Sequence, residues 1–301
     1  MRFKNARYVA ILIAVIGIVF FSAKAVLVKL AYQYHIPPVS LLLLRMAFAL
    51  PFYIGVALIK RPAKSDQISS KDYLWVIGLG IIGYYLASLF DFLGLQYIKA
   101  SLERIILFIY PTLVILISWL IFKKVPGKLQ VIAIIISYIG IFITFSEEIG
   151  VSAQDNVLTG GLLVFMSALT YASYLVGSGY LIPKFGSVVF TSYAMIVSCL
   201  CVVAHYILTS HDDILSYDRE VYFLALIMAI MATVIPSYLI SYAIKQLGAS
   251  NFAIIGSLGP VSTISLAYIF LDESLTSIQI VGAVVVIASI VVVSRQSADA
   301  A

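Results

Sequence analysis

Charged residues are scarce in this chain. Asp, Glu, Lys and Arg make up 11% of its 301 residues, against about 25% in soluble globular domains. Apolar residues make up 62% without counting glycine, against about 45–50% with glycine included in such domains. A nucleic-acid-binding face needs clustered basic residues, and here the net charge of +5 is dispersed between apolar runs. The composition excludes a soluble enzyme, a disordered chain and a nucleic-acid-binding domain, and leaves a protein dissolved in a lipid bilayer.

Cysteine and histidine are also rare. The two cysteines, Cys199 and Cys201, lie two residues apart in one apolar run, so on a helix their side chains point away from each other. Two such cysteines exclude a disulfide framework. The three histidines are scattered, and no H-E-x-x-H motif occurs. We therefore expect no bound metal, no cofactor and no catalytic residue.

Long apolar runs dominate the rest of the sequence. A helix needs about 20 predominantly apolar residues to cross a bilayer, and the chain contains ten such runs. Loop signals separate the runs, and Ser69-x-x-Asp72 is typical of a capping box at a helix start. The sequence predicts an all-α membrane protein with ten transmembrane helices, over residues 8–32, 38–59, 72–97, 101–122, 128–145, 158–181, 187–208, 219–245, 250–271 and 276–294.

Lysine and arginine are distributed unevenly between alternate loops. If the N-terminus is cytoplasmic, 13 of the 19 Lys and Arg residues fall on the inside, four lie within the runs, and only Lys99 and Arg219 fall outside. Cytoplasmic loops of membrane proteins carry an excess of Lys and Arg. We therefore predict a multi-pass protein of the cell inner membrane with both termini cytoplasmic.

The chain repeats itself at an offset of 149 residues. Three sets of identical residues share this offset: Ala100-Ser101 with Ala249-Ser250, Pro111 with Pro260, and Gln130 with Gln279. The repeat divides the chain into residues 1–150 and 151–301, each with five predicted helices. Because five is odd, the second half starts on the opposite side of the membrane and runs inverted, which is a building plan of secondary transporters. Pro111 and Pro260 predict paired kinks that act as hinges.

Three segments resemble a known family. Residues 271–282, L-D-E-S-L-T-S-I-Q-I-V-G, resemble the G-E-x-L-T-x-x-Q-x-x-G signature of EamA-type permeases in the drug/metabolite transporter superfamily. Residues 100–112 are similar to a form of the fourth helix of many such permeases, and residues 20–45 resemble their first two helices, with an aromatic, a Lys, a Pro and an Arg. The first half departs from the signature, with Lys124 in the place of Glu273 and Ala133 in the place of Gly282. The resemblance implies the ten-helix fold and metabolite transport, and is nearly silent about the substrate.

Apart from the two residues at each end of every predicted span, six Asp, Glu, Lys and Arg residues lie within the spans, all in the first half: Lys24, Lys29, Arg45, Asp91, Glu103 and Arg104. A charge at mid-bilayer costs about 2.5–3.5 kcal/mol on insertion scales, so such residues face the bundle interior or water and usually pair. We predict that Lys24 and Arg45 hold a substrate carboxylate or phosphate. Asp91 is predicted to join this site, where Asp91 or Glu103 neutralises a cation or carries a proton.

Gate and packing roles are the other predictions for these residues. Lys29, Glu103 and Arg104 are predicted to form gate or ion-pair contacts. The alternative for the whole set is an inert ion-pair cluster that fixes the packing of the helices or closes the outer gate.

The second half has no charge in mid-span and offers tyrosines instead. Tyr171 and Tyr174 are three residues apart, which places them on one helix face, and they lie near the middle of their run. Tyr84 and Tyr85 are similarly deep, and with Tyr238 these residues complete the predicted substrate site. The alternative is that they belong to packing contacts or to the interfacial belts in which Tyr is enriched.

Two short motifs resemble parts of enzymes. Gly78-x-Gly80-x-x-Gly83 spells a dinucleotide fingerprint, but that fingerprint requires a strand–turn–helix context. Inside a spanning helix, such glycines instead let a neighbouring helix approach closely. The segment 177–179, Gly-Ser-Gly, hints at a serine nucleophile, but no histidine lies in a central span.

The sequence favours a secondary transporter over an enzyme. We expect a permease that moves a small polar metabolite by alternating access, outward, with an amino acid or related carboxylate as the preferred substrate. Two alternatives stay open: a proton-coupled multidrug exporter of organic cations that uses Asp91 or Glu103, and a non-transport membrane scaffold or lipid-handling subunit. The expected partners are the lipid bilayer, a small-molecule substrate and, in the coupled case, protons. The expected assembly is a monomer or a homodimer, without nucleic acid.

Overall fold

Helices form every regular element in the part of the chain that the structure describes. The computed structural model describes residues 2–63, 68–123, 156–210, 212–249 and 258–278, with short pieces at 127–128, 131–132, 135–136, 139–140, 142–143, 252, 255–256, 280–285 and 288. The helices over the longer stretches are α1 (Arg2–Tyr32), α2 (Pro38–Ile59), α3 (Ser70–Leu95), α4 (Ala100–Phe122), α5 (Val157–Phe185), α6 (Ser187–Thr209), α7 (Arg219–Leu247) and α8 (Leu258–Leu271).

The first seven of these helices are long and apolar enough to cross a membrane, and α8 is a shorter apolar helix. Large apolar side chains cover their outer surface, as the exposed fractions of Leu58 (82%), Trp75 (63%) and Phe223 (63%) illustrate. The predicted runs 128–145 and 276–294 lie largely outside the described residues, as do Lys124, Gln130, Ala133, Ser250 and Gln279. The total of ten helices therefore stays a prediction.

Local sequence signals explain where several helices begin. Pro38 opens α2 behind an extended Pro37, because proline lacks the N–H that the first helical turn leaves unpaired anyway. The predicted capping box at the start of α3 is confirmed: the Ser69 N–H donates to Asp72 Oδ2 at 2.9 Å, and the Asp72 N–H donates to Ser69 Oγ at 3.3 Å. Gly186, with φ +79°, makes the turn between α5 and α6.

Two helices contain π-helical segments, in which the hydrogen-bonded turn is one residue longer than in an α-helix. They are Ile81–Leu86 in α3 and Ile230–Val234 in α7. Their first residues are 149 positions apart, and the same offset separates the starts of α2 and α6 and the starts of α3 and α7. The repeat offset found in the sequence is thus also the offset between structural features.

The predicted interruptions lie just before the two prolines. In α4 the α-helical pattern stops after Leu107 and resumes at Tyr110, so that Pro111 sits in the first turn of the second piece. In the second half a turn at Gly256 precedes α8, whose third residue is Pro260. Their use as hinges stays a prediction.

The helix contacts of the first half have equivalents in the second half. Helix α1 packs against α7 and α8, and its repeat counterpart α5 packs against α3 and α4, while α2 packs against its own counterpart α6. Two of the predicted glycine contacts are present: a methyl group on Gly83 would overlap Tyr174 between α3 and α5, and one on Gly80 would lie 2.6 Å from the Ala194 carbonyl oxygen between α3 and α6. Gly78 has open space instead.

Candidate functional site

A buried cavity lies between the two halves. Its volume is about 40 Å³, which is room for about three water molecules and far below the roughly 300–1,000 Å³ of a typical ligand pocket. Helices α1 to α5 and α7 contribute to its lining. Three pairs of lining residues stand at the repeat offset: Gly83 and Ala232, Tyr84 and Thr233, Ser88 and Ser237.

The two sides of this cavity differ in chemistry. We call Lys24, Arg45 and Ser88, from α1, α2 and α3, the charged wall, and Ser167, Thr233 and Ser237, from α5 and α7, the hydroxyl wall. Both π-helical segments supply residues to the lining of the cavity, since Gly83 and Tyr84 belong to the first segment and Ala232 and Thr233 to the second. Such segments occur frequently at functional sites.

Lys24 forms the central ion pair of the charged wall. Its Nζ lies 2.7 Å from Asp91 Oδ2, and the two side chains are 6% and 0% exposed. The same Nζ stands 4.9 Å from the centre of the Phe21 ring. Lys24 lines the cavity, whereas Asp91 does not. A cation in this position can bind a ligand in the cavity only by sharing or exchanging its present carboxylate partner.

Glu103 is the second carboxyl group of this cluster. It is fully buried and meets Asp91 at hydrogen-bonding range, with Arg104 as a nearby positive charge. Apart from the Lys24 ion pair, no N–H or O–H donor from the described residues reaches the oxygens of Asp91 or Glu103. Two ionised carboxylates in contact repel each other strongly, so such pairs hold a proton between them.

The Arg45 guanidinium has one N–H group without a hydrogen-bond partner among the described residues. Its Nη2 donates to Ser88 Oγ at 2.8 Å, and its guanidinium carbon lies 4.8 Å from the centre of the Phe92 ring. Its Nε is buried and has no hydrogen-bond partner among the described residues. A buried donor without a partner costs about 1–3 kcal/mol, so this atom marks the edge of the guanidinium at which an acceptor is missing.

Arg104, on α4, contacts both α1 and α8. Its Nη2 donates to Ser22 Oγ at 3.1 Å, and the Thr263 hydroxyl donates to the Ser22 carbonyl oxygen at 3.1 Å. A methyl group on Gly259 would lie 2.5 Å from Arg104 Nη2, so the glycine makes room for the guanidinium. Glu103 and Arg104, adjacent in sequence, therefore have different partners.

The predicted tyrosines fall into two sets. Tyr84 and Tyr171 line the cavity, and Tyr174 packs between their rings, with centroid distances of 4.7 and 6.3 Å. Tyr85 and Tyr238 do not line it. The Tyr85 hydroxyl pairs with His205 Nδ1 at 2.9 Å, and the Tyr238 hydroxyl pairs with Ser192 Oγ at 2.8 Å. These two hydroxyls are used in contacts with α6, outside the cavity.

A second cluster lies at the end of the bundle that holds the turn between α1 and α2, here called the α1–α2 end. The Glu273 carboxylate accepts hydrogen bonds from the N–H groups of Ala100 and Ser101, both at 3.0 Å, and from the Ser101 hydroxyl at 2.7 Å. It thereby caps the N-terminus of α4, where the helix dipole favours a negative charge. Lys29 lines the same open groove as Glu273 and donates to the Leu95 carbonyl oxygen at 2.9 Å.

A loop of the second half closes over the same end. The Asp212 carboxylate, between α6 and α7, accepts hydrogen bonds from the Ser40 hydroxyl at 2.6 Å and from the Tyr217 hydroxyl. Burial alone would raise the pKa of Asp212, but these hydroxyl donors outweigh it and hold the pKa below its ordinary value. Burial and the contact with Asp212 raise the pKa of Tyr217 to about 12.

Sequence reasoning missed four parts of this arrangement. Ser88, Ser167 and Thr233 line the cavity, and Glu273 caps α4, but none was predicted in these roles. The signal for Ser88 was available, because it stands 149 positions before Ser237. Among the described residues, no group of three or more His, Cys, Asp or Glu side chains is arranged to hold a metal ion.

Comparisons with known proteins give a consistent result. An uncharacterized transporter of Bacillus subtilis (strain 168), YcbK, is 31% identical over 271 residues, which cover 89% of this chain and 86% of its own. An uncharacterized transporter of Synechocystis sp. is 28% identical and covers 97% of this chain and 95% of its own. A solved crystal structure shares the fold, with a TM-score of 0.66 at 15% identity over 97% of this chain and 98% of that chain.

The family comparison matches the chain twice. The model of the EamA-like transporter family matches residues 8–146 and again residues 158–295. The resemblance noted in the sequence is thereby confirmed, and the apolar helices are those of a multi-pass membrane protein. Together the two matches span nearly the whole chain, so this protein belongs to the EamA-like transporter family.

Proposed function

We propose that this protein is a secondary transporter of a small polar metabolite that carries a carboxylate group, and that it works by alternating access. The observation that carries the proposal is the charged wall: two buried cations, Lys24 and Arg45, line one cavity between the halves. Among the described residues, the buried Arg45 Nε has no acceptor. Arginine is suited to carboxylates and phosphates because its planar fork donates two parallel hydrogen bonds.

The charge balance of the site also favours an anionic group. Lys24, Arg45 and Arg104 supply three positive charges, whereas Asp91 and Glu103 supply one negative charge if they share a proton. A buried cation is costly unless it is paired, and a substrate carboxylate would provide a direct partner for Lys24 or Arg45. The hydroxyls of the opposite wall are suited to the polar remainder of a small metabolite, because a hydroxyl both donates and accepts hydrogen bonds.

Alternating access is supported by the relation between the halves. Helix α1 packs against α7 and α8, and its counterpart α5 packs against α3 and α4. A two-fold pseudo-symmetry between the halves requires such matching contacts. We propose that residues 1–150 and 151–301 are inverted repeats of five helices each, with the substrate path at their interface, as in other secondary transporters. The cavity of about 40 Å³ then corresponds to a closed state, which widens toward one side to admit substrate.

The proposed orientation places both termini in the cytoplasm of a cell whose inner membrane holds the protein. Arg61, in the loop after α2, would face the inside, and Ser216, in the loop after α6, the outside; both are exposed. In a background without Cys199 and Cys201, a membrane-impermeant maleimide added to intact cells should label Ser216→Cys and spare Arg61→Cys. Labelling of both positions, or of Arg61→Cys alone, would contradict the orientation.

The organic-cation alternative needs a free carboxylate at the cavity. Asp91 does not line the cavity and is held by Lys24. The face of Phe21, which could otherwise receive a cation, already meets Lys24 at 4.9 Å and Arg104 at 5.4 Å from the ring centre. The site therefore favours the binding of a carboxylate over the binding of an organic cation.

The test is transport by purified protein in liposomes. Counterflow is measured with radiolabelled L-lactate and L-alanine, which share a carboxylate and a methyl group, with glycerol as the uncharged probe and with tetraphenylphosphonium as the cation. We expect counterflow of a carboxylate, loss of it in Arg45→Gln, and no loss in the matched control Arg61→Gln. Counterflow of tetraphenylphosphonium alone would support the multidrug alternative, and no counterflow of any probe would favour a non-transport role.

A further inference from the structure

Asp91 and Glu103 form a pair of carboxyl groups beside Lys24, outside the lining of the cavity. Both side chains are fully buried, and they face each other at hydrogen-bonding range. The only cation within ion-pair distance among the described residues is Lys24, which reaches Asp91 Oδ2 at 2.7 Å. The pair therefore has one positive partner for two carboxyl groups, an arrangement that favours a proton shared between them.

Among the described residues, the charged neighbours of Asp91 come from helices that pack around α3. Lys24 comes from α1, Arg45 from α2, and Glu103 from α4, with Arg104 beside Glu103. The Tyr32 hydroxyl, also from α1, donates to the Phe92 carbonyl oxygen next to Asp91. Helix α5 contributes Lys184, but that side chain pairs with Asp72 at 2.7 Å, about 28 Å away along α3 at 1.5 Å per residue.

The placement of Lys24 makes Asp91 and a substrate carboxylate competitors. Lys24 lines the cavity on one side and holds Asp91 on the other. If a substrate carboxylate takes over Lys24, Asp91 loses its close cation and stays in contact with Glu103. Two carboxyl groups that share one proton and have lost their cation then need a second proton, because an ionised carboxylate without a partner is strongly disfavoured in a buried site.

We propose that carboxylate binding at Lys24 is coupled to the uptake of one proton by the Asp91–Glu103 pair. Before binding, the group holds Lys24 positive, Asp91 negative and Glu103 protonated; afterwards Lys24 pairs with the substrate carboxylate and both carboxyl groups are protonated. The proton comes from water on the side to which the cavity is open. The added negative and positive charges cancel, so the charge of the site is unchanged and the bilayer is crossed without an added net charge.

This coupling makes the protein a cotransporter of a carboxylate and a proton, which move in the same direction. The inference rests on the function proposed above, because it needs a carboxylate at Lys24. It adds the coupling ion, the residues that hold it and the reason for a stoichiometry of one. A pH gradient across the membrane should then drive accumulation of L-lactate on the alkaline side.

The experiment measures protons and binding on the same purified protein. L-Lactate is added near pH 7 to weakly buffered protein with a pH-indicator dye, and its dissociation constant is measured by calorimetry over a range of pH. If one proton is taken up per lactate bound, the dissociation constant should rise about tenfold for each unit by which the pH increases. L-Alanine serves as the second probe, with the same expectation for its carboxylate.

Three variants assign the effect to the carboxyl pair. Asp91→Asn should bind lactate without proton uptake and with a dissociation constant independent of pH. Glu103→Gln should take up less than one proton, because its amide donates to the released Asp91. Asp72→Asn, which removes another ion-paired carboxyl group of the same helix, is the matched control and should behave like the unmodified protein. Size-exclusion profiles verify that each variant is folded.

The shared proton is also tested without substrate. Infrared spectra of the ligand-free protein should contain the carbonyl stretch of a buried protonated carboxyl group, and Glu103→Gln should lose it. Lactate or alanine binding that takes up no proton and does not depend on pH would overturn this inference alone. Failure of both carboxylates to bind or to be transported would overturn the proposed function, and the coupling with it.

Discussion

The charged wall and the hydroxyl wall of the cavity share one backbone plan and differ in chemistry. Each wall takes residues from a helix that contains a π-helical segment at the same repeat position, α3 or α7, and Ser88 and Ser237 are equivalent across the cavity. The repeat counterparts of the charged residues are uncharged: Ser173 for Lys24, Ala194 for Arg45 and Ile240 for Asp91. A repeated scaffold therefore does not require repeated chemistry, because one wall alone can hold the charge.

The second half keeps its charged contacts at the ends of the bundle. Asp212 and Glu273 contact α2 and α4 at the α1–α2 end, and Lys184 contacts Asp72 at the opposite end. At an end, a charge keeps access to water, and the cost of desolvation is small. In the cavity the same charge requires a buried partner, which the first half supplies within itself.

The largest expected effect comes from removing the cation of the charged wall. Lys24→Met should lower the free energy of unfolding by about 3–5 kcal/mol, because it leaves the buried Asp91 carboxylate without its partner. The double variant Lys24→Met/Asp91→Asn should regain most of this stability in thermal unfolding, yet it should still fail to transport lactate. Full transport by either variant would show that the charged wall does not bind substrate.

A smaller effect is expected from making the two π-helical segments more alike. Gly83 stands where the second half has Ala232, and a methyl group on Gly83 would overlap Tyr174. Gly83→Ala should therefore cost about 1–3 kcal/mol of stability, as overpacking of a tight contact does. Gly78→Ala, in open space on the same helix, is the control and should be neutral or slightly stabilising. Equal stability of the two variants would mean that α3 and α5 are not held this closely.

The equivalent serines test the two walls directly. Ser88 accepts a hydrogen bond from the Arg45 guanidinium, whereas Ser237 pairs with the neutral Tyr53 hydroxyl at 2.9 Å. Hydrogen bonds to charged groups contribute about 1.5–3 kcal/mol and neutral ones about 1 kcal/mol. Ser88→Ala should therefore cost roughly 1 kcal/mol more than Ser237→Ala in chemical denaturation. A larger cost for Ser237→Ala would place the stronger polar contact on the hydroxyl wall.

The smallest effect concerns a charge at the end of the bundle and depends on pH. Because the pKa of Asp212 is lowered in the folded protein, its stabilising contribution is fully present above the ordinary carboxyl pKa of about 3.9. That contribution is lost as the pH falls through the lowered folded-state pKa. The difference in unfolding free energy between the unmodified protein and Asp212→Asn should be constant from pH 5 to 7, to within about 0.5 kcal/mol, and should shrink below about pH 4. A difference that grows in acid would contradict the assigned contacts.

Much of the helix framework was predictable because its signals are local. The Pro37-Pro38 pair and the Ser69–Asp72 capping box fix helix starts from within a few residues. Charges within apolar runs are equally visible in a sequence, and Lys24, Arg45, Asp91 and Glu103 do come together. Their pairing was less accessible, because it depends on how each helix is rotated about its axis, and no short segment encodes that rotation.

The unpredictable rotation of the helices also explains which predictions for individual residues differ from the structure. Tyr85 is next to Tyr84 in the sequence, but consecutive side chains on a helix point about 100° apart, and Tyr85 contacts His205 whereas Tyr84 lines the cavity. The π-helical segments have no local sequence signal of the kind that a proline or a capping box provides. The role of Glu273 depends on the N-terminus of α4, which lies 173 and 172 positions away at Ala100 and Ser101.

The cap that Glu273 places on α4 has a consequence for the timing of a transport cycle. One carboxylate accepts three hydrogen bonds there, so the contact is made or lost as a whole when the α1–α2 end moves. In the cycle proposed above, the lifetime of the closed state at this end follows the strength of that one contact. Each 1.4 kcal/mol of additional contact energy would lengthen the dwell about tenfold. Glu273 would thus set the rate at which this end opens, whereas the residues of the cavity would determine substrate specificity.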